Sequence, residues 1–193
     1  MLLQIDRTLF HLLNRGAANP FFDWLMPRIT NLHHQKIFLV MIALICIYIL
    51  ARGSRRTRLW LLCALVAVGM SDSIAYRAVK KIVPRDRPCK VILAGHMAFA
   101  DTRLIGECPG SQSFPSNHAA NMAALGVTCF AFTRRKYARW LWLLIPLIIG
   151  YSRIYLGYHY PGDVLGGWCL GTITAAAIYM LIRSRLCKIE AES

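Results

Sequence analysis

Hydrophobic residues in this chain gather into long runs separated by short, strongly polar stretches, a pattern that predicts membrane-crossing helices rather than the amphipathic periods of a soluble core. The first run covers residues 37–50, with Leu32 its earliest start, and ends in Arg52, Arg55, Arg56 and Arg58. A second starts at Leu59 and is apolar to Met70, then turns polar through Ser71, Asp72, Ser73, Tyr76 and Arg77 before Lys80 and Lys81. Polar groups at that depth must face protein or a wet cavity, so the far end of this helix is its functional end. The third run covers residues 116–133 and stops at Arg134, Arg135, Lys136 and Arg139. The fourth covers residues 140–150, with a kink expected at Pro146, and the fifth covers residues 163–182, ending in Arg183, Arg185 and Lys188.

Two stretches do not fit this scheme. Residues 4–30 mix apolar and polar positions too often for a simple span, and Leu9, Leu12, Leu13, Phe21, Phe22 and Trp24 suit a pair of helices lying in the head-group region. Between the second and third runs lies a loop of about thirty residues, long enough to predict function, punctuated by Pro84, Pro88, Gly95, Gly106, Pro109, Gly110 and Pro115. The pattern predicts an all-α, polytopic membrane helix bundle of five spans, or six if the N-terminal segment crosses. Residues 1–193 form a single domain, with residues 1–35 as an interfacial N-terminal segment. No leader pattern precedes the first run, which predicts a mature chain starting at Met1.

Composition agrees: 193 residues, 56% of them hydrophobic, leave no room for a separate soluble domain. The net charge of +14 raises nucleic acid as a partner, but the Lys and Arg residues sit in short groups between apolar runs, as the positive-inside rule places them. Nucleic-acid binding is not expected. With the clusters at 52–58, 134–139 and 183–188 on the cytoplasmic side, the long loop and residues 150–162 face outward. Of the seven cysteines, Cys46, Cys63, Cys129 and Cys169 fall within runs, Cys187 lies in the tail, and Cys89 and Cys108 lie in the outer loop. An oxidising exterior allows those two either to bridge or to stay free, and a Cys89–Cys108 disulfide is the hypothesis taken forward.

Three polar groups then lie on the outer side. Lys80 and Arg87 flank Pro84, offering a point charge and a planar fork that suit a phosphate, or else two charges reaching out of a span end. Ser116 is a natural N-cap, so Asn117 and His118 open a helix whose free N–H groups make an anion site, or simply a capped interfacial start. Arg153, His159 and Asp163 follow, with Pro161 and Gly162 predicting a turn that lets the histidine and the carboxylate meet. A carboxylate on one ring nitrogen leaves the other free as a nucleophile; a metal pair and a structural hydrogen bond are the alternatives. Neighbouring cations and the lack of further carboxylates argue against the metal.

Together these residues resemble the three-part signature of the type 2 phosphatidic acid phosphatase (PAP2) superfamily. Lys, six residues, Arg-Pro is matched by Lys80, Arg87 and Pro88; Pro-Ser-Gly-His appears as Pro115, Ser116, Asn117 and His118; and Ser-Arg, five residues, His, three residues, Asp is matched in full by Ser152, Arg153, His159 and Asp163. Asn117 stands where the family has glycine, and is expected to offer the phosphate a backbone N–H or an amide donor.

The resemblance implies a bacterial inner-membrane lipid phosphatase with its active site on the periplasmic side. It implies catalysis by His159, His118 and Asp163, phosphate binding by Lys80, Arg87, Ser116, Asn117 and Arg153, and a phosphohistidine intermediate on His159. No metal, no cofactor and no obligate protein partner are implied; the partners are the bilayer and a lipid phosphate. Extra cations at Lys81, Arg85 and Lys90 point to a diphosphate such as undecaprenyl diphosphate, while phosphatidylglycerol phosphate and lipid A phosphate fit the same surface. A lipid phosphotransferase, a vanadium-dependent haloperoxidase, a structural or transport protein, and a non-catalytic phospholipid-binding protein are the rival readings. The apolar runs argue against the haloperoxidases, whose members are soluble.

Overall fold

The structure is a computed structural model that describes residues 2–32, 35–95 and 102–191. Met1 and the loop residues 96–101 lie outside the described residues, as does the side chain of Lys188 from the last basic cluster. The described residues are all-helical or irregular, as predicted. α1 (Leu2–Arg15) and α2 (Pro20–Thr30) come first, then α3 (Lys36–Arg52) and α4 (Arg55–Ser73), which runs through a π-helical segment (Ile74–Val79) into α5 (Lys80–Ile82). α6 (Pro88–Leu93) lies in the long loop. It is followed by α7 (Asn117–Phe132), α8 (Ala138–Leu141), α9 (Leu144–Tyr155) and α10 (Pro161–Ala191).

Two continuous helical stretches are each long and apolar enough to cross a membrane by themselves, Arg55–Ile82 and Pro161–Cys187. α3 is apolar all round and buries none of its residues, leaving Ile37, Leu44, Ile47 and Tyr48 open on a surface that suits lipid. α1 and α2, at 14 and 11 residues, are each shorter than the roughly 20 residues a bilayer crossing needs. Some boundaries move from those predicted. α9 continues to Tyr155, so Ser152 and Arg153 are helical instead of lying in a loop. Pro146 kinks nothing: the chain breaks before it, at residues 142–143, and Pro146 occupies the first turn of α9, where its missing N–H costs no bond. Pro161 likewise starts α10 at its first helical position, so Pro161 and Gly162 belong to the last helix, and the turn before it lies at residues 156–158.

α7 is the central post, packed against α4, α9 and α10. Its buried face is built from Ala119, Ala120, Ala123 and Ala124, and α10 meets it with Gly167 and Gly171. A Cβ on Gly171 would collide with the Ala120 carbonyl oxygen and lie 2.8 Å from Ala124 N, so the two backbones touch. Small residues allow such an approach in an apolar medium, where dispersion and not water exclusion holds helices together.

The bundle has two chemically different ends. At the basic end Arg56 Nη2 donates to Phe132 O at 2.6 Å, gathering the 52–58 cluster and the end of α7 over an apolar cluster of Cys63, Phe132, Ile178 and Leu186. At the other end the long loop folds down over the helices, pinned by a Cys89–Cys108 disulfide. The N-terminal helices brace that end. Asn14, fully buried, donates from Nδ2 to Arg103 O, Ile154 O and Tyr155 O and accepts Arg103 N at 2.7 Å. Asp23 accepts Arg103 Nη2 and the Tyr155 hydroxyl, each at 2.6 Å.

The close seam between α7 and α10 carries a prediction. Gly171→Leu forces the helices apart and is expected to cost about 1–3 kcal/mol, read as a lowered thermal unfolding midpoint of the detergent-solubilised protein. An unchanged midpoint would mean that the seam is not packed as described.

Candidate active site

Asp163 opens α10 as its first-turn acid. Its Oδ2 accepts the Tyr160 backbone N–H at 2.9 Å, a side chain reaching back to the residue that starts the helix. The same oxygen accepts the Ser113 hydroxyl at 2.5 Å, and Oδ1 accepts Arg85 Nη1 at 2.7 Å. The carboxylate is fully buried with these partners around it. One helical turn back in sequence, His159 places Nδ1 3.6 Å from Asp163 Oδ2 and 3.5 Å from Ser113 Oγ, while its Nε2 lies 2.8 Å from Arg87 Nη1. An arginine only donates, so Nε2 carries the lone pair and Nδ1 the hydrogen that faces the carboxylate. This is the tautomer expected of a nucleophilic imidazole.

Burial drives the His159 pKa down to about 3; the contact with Asp163 opposes this, and the charges of Arg87 and Arg153 add to it. The ring is therefore neutral across the working pH range, with its Nε2 lone pair accepting from Arg87. Arg87 is lowered to about 10, chiefly by burial, and stays charged at neutral pH. Its Nε donates to Ser111 O and Nη2 to Ser111 Oγ, at 2.8 and 2.9 Å, which aims the remaining edge of the guanidinium at His159.

A cavity of about 710 Å³ opens in front of these groups. Among the residues predicted for the site, Arg87, Asn117, His118, Arg153 and His159 line it. Arg153 approaches from α9, with Nη1 on Thr30 Oγ1 at 3.1 Å, its plane 4.7 Å from the Tyr158 ring, and a buried Nε without a hydrogen-bond partner. A buried donor left open beside a cavity is suited to an anion. Lys80, Ser116 and Asp163 stand behind this wall. Lys80 Nζ donates to Gln112 O at 2.5 Å and Pro115 O at 3.0 Å, tying the long loop to the end of the second span. Ser116 caps α7, its Oγ accepting Ala119 N at 3.5 Å, and its own N–H donates to Asp163 O at 2.9 Å. The peptide bond before Pro115 is cis.

Two expectations are corrected. The Asn117 amide does not point to a phosphate: with the Asn121 amide it donates to Asp72 Oδ1, each at 2.9 Å, because a carboxylate on α4 faces this turn of α7. Nor do Lys81, Arg85 and Lys90 add positive charge to the cavity, since none of them lines it. Arg85 is held by Asp6 and Asp163, and Lys90 faces Asp86 at 3.8 Å. The cavity wall instead contains two acids, Asp72 and Glu107, along with Asn31, Tyr76, Ser111 and Tyr158. Sequence reasoning missed Ser113, Ser111, Asp6 and Glu107. The polar end of the second run did signal Asp72, but nothing in the sequence pairs a residue of α1 with the first turn of α10.

The chain was compared with known proteins. A family model described as the PAP2 superfamily matches residues 58–186. A lipid A 4'-phosphatase of Bacteroides thetaiotaomicron is 29% identical, over 100% of this chain and 83% of its own length. Two solved structures share the fold. Aquifex aeolicus LpxE has a TM-score of 0.65 at 21% identity, covering 90% of this chain and 93% of its own. A transmembrane PAP2-type phosphatidylglycerolphosphate phosphatase from Bacillus subtilis has a TM-score of 0.69 at 23% identity, covering 95% of this chain and 87% of its own. The matched region carries both histidines, Arg87, Arg153 and Asp163 in one arrangement, and this chain belongs to the PAP2 superfamily of phosphatases.

Proposed function

We propose that this protein hydrolyses the phosphate monoester of a membrane lipid in two steps through a phosphohistidine. The observation that carries this reading is the orientation of His159. Its Nε2 accepts Arg87 Nη1 at the edge of the cavity, where a phosphoryl group drawing on Arg87 would release the lone pair, and its Nδ1–H faces a buried carboxylate. In the first step Nε2 attacks phosphorus, the bond to the ester oxygen breaks, and His118 protonates the departing alcohol. Asp163 stabilises the positive charge that grows on the ring. In the second step His118 takes a proton from water, the water oxygen attacks phosphorus, the N–P bond breaks, and inorganic phosphate leaves with His159 neutral again. Arg87, Arg153 and the first N–H groups of α7 hold the phosphoryl oxygens as charge shifts between them. Lys80 and Ser116 act from behind, by fixing the loop and the helix start.

Five helical stretches span the bilayer in this reading: α3, α4 with its π-helical segment and α5, α7, α8 with α9, and α10. The basic end is cytoplasmic, and the disulfide-pinned end with its cavity faces the outside of the inner membrane. The composition of the cavity supports a monoester over a diphosphate. It offers two arginines for one phosphate, and Asp72 and Glu107 would repel a second while accepting hydrogen bonds from hydroxyl or amine groups of a head group. A phosphorylated sugar head, as in lipid A, suits that wall, and the full-length likeness to a lipid A 4'-phosphatase supports the same choice.

Phosphate release from lipid A, phosphatidylglycerol phosphate, phosphatidic acid and undecaprenyl diphosphate, measured with EDTA present, tests the substrate. Lipid A is expected to have the highest kcat/KM, and abolition of turnover by EDTA would contradict the metal-free mechanism. Catalysis is tested by rapid quench with 32P substrate. His159→Ala is expected to lose at least about 10³-fold in kcat and all protein-bound label, while His118→Ala slows both steps by roughly 10²–10⁴-fold. Label retained in His159→Ala would place the nucleophile elsewhere.

The pH dependence follows from the lowered His159 pKa. A histidine with a pKa of about 3 is unprotonated at all higher pH, so the labelling burst should show no acid limb from the nucleophile above roughly pH 4. Steady-state kcat should still be bell-shaped, because His118 must be an acid in the first step and a base in the second. A burst that vanishes near pH 6 while the protein stays folded would contradict this assignment.

A further inference from the structure

Arg85 lies two residues from Arg87 yet turns away from the cavity. Its Nη1 donates to Asp163 Oδ1 at 2.7 Å, its Nη2 donates to Asp6 Oδ2 at 2.6 Å, and its plane lies 4.1 Å from the Tyr160 ring centroid. The backbone of the same residue makes a second connection. Arg85 O accepts Ser113 N at 2.7 Å, and Ser113 Oγ in turn donates to Asp163 Oδ2. Both oxygens of the carboxylate are thus set from one residue, Oδ1 through the guanidinium and Oδ2 through Ser113. The other Asp6 oxygen accepts Gly162 N at 2.7 Å, fastening the peptide next to Asp163. A Cβ at position 162 would lie 2.9 Å from Asp6 Oδ2, so any larger residue would shift the Asp6 carboxylate.

We propose that Asp6 and Arg85 are positioning residues for catalysis: the bridge Asp6–Arg85–Asp163 holds the carboxylate in the orientation that aims His159 Nε2 at phosphorus, and ties that orientation to the docking of α1. The proposal rests on the reading of His159 as the nucleophile. The forked donor is what the geometry requires, because a guanidinium reaches two carboxylates at once in a fixed plane while an ammonium is a single point charge. With Oδ1 engaged by Arg85 and Oδ2 by Ser113 and Tyr160 N, the Asp163 carboxylate has no freedom to rotate. Asp6 belongs to an amphipathic helix whose outer face exposes Leu3, Ile5, Leu9 and Leu12, so seating of that helix and geometry of the catalytic pair are linked.

The test uses the full-length protein in detergent micelles with dioctanoyl phosphatidic acid as the probe, comparing wild type, Asp6→Asn, Arg85→Gln and Arg85→Lys, each also in an Asp163→Asn background. Arg85→Gln is expected to lower kcat by roughly 10–100-fold and Asp6→Asn by about 3–10-fold, with KM within about twofold, because misdirecting a reacting group slows chemistry without loosening substrate. Arg85→Lys should recover part of the loss. In the Asp163→Asn background neither change should cost more than about twofold, since the group they orient is no longer a carboxylate. Equal fold-losses in both backgrounds would overturn the proposal, as would a rise in KM with kcat retained or a loss explained wholly by the unfolded fraction. If Arg85→Gln fails to fold, Asp6→Asn carries the same cycle, because it leaves the Arg85–Asp163 pair in place. Wild-type enzyme quenched during turnover separates the two claims: absence of label on His159 removes the reading beneath, whereas label on His159 without coupling to Asp163 removes the positioning role alone.

Discussion

A carboxylate with no solvent contact sits at the centre of this structure, and burying it is costly unless its charge is met by donors on every side. Asp163 meets that demand with donors drawn from across the fold: Arg85 and Ser113 from the long loop, and the Tyr160 backbone from the start of α10, with the His159 ring close by. Its main-chain oxygen takes the Ser116 N–H, joining the start of α7 to the start of α10. The three polar groups that the sequence places far apart are therefore brought together by the requirement to neutralise one buried acid. The placing of His159 and Ser113 against the carboxylate follows from that requirement.

The same demand explains why so short a chain devotes its first thirty residues to helices that are too short to span. α1 and α2 bring Asp6, Asn14, Asp23 and Thr30 to the site end, and each meets a backbone or cation there. Asn14 alone supplies carbonyl and amide partners to Arg103, Ile154 and Tyr155, joining the outer loop to the end of α9. Arg153 is held from α2 on one side and by Tyr158 on the other, and its buried Nε has no hydrogen-bond partner. A polar N-terminal segment that reads as an interfacial anchor is also the brace of the cavity end.

Much of this was legible beforehand, and the reasons differ from residue to residue. The apolar runs predicted the helices because helix length in a membrane is set by hydrocarbon thickness, which composition alone reports. The spacing of Arg153, His159 and Asp163 predicted their meeting because those residues are local in the chain. Arg87 read either as a cation suited to a phosphate or as a charge reaching out of a span end, and the family signature favoured the first; Lys80 and Ser116, equally prominent there, stand behind the cavity wall. Arg85 reads in sequence as one more cation of a phosphate cluster. Which way its side chain turns depends on Asp6, nearly eighty residues earlier, and no local pattern carries that information.

By itself, then, the sequence determined the class of the molecule: long apolar helices, a basic end and an opposite polar end, a histidine set beside an acid, and membership in a phosphatase superfamily. These rest on hydropathy, spacing and short-range chemistry, which survive projection onto one dimension. The tertiary structure alone decided which cations line the cavity and which serve the carboxylate. It also decided that Asn117 answers Asp72, and that Asp72 and Glu107 give the cavity an acceptor-rich wall. Those choices are made by charges meeting across helices and loops distant in the chain, where the energy of burial and pairing depends on three-dimensional neighbours and not on order along the chain.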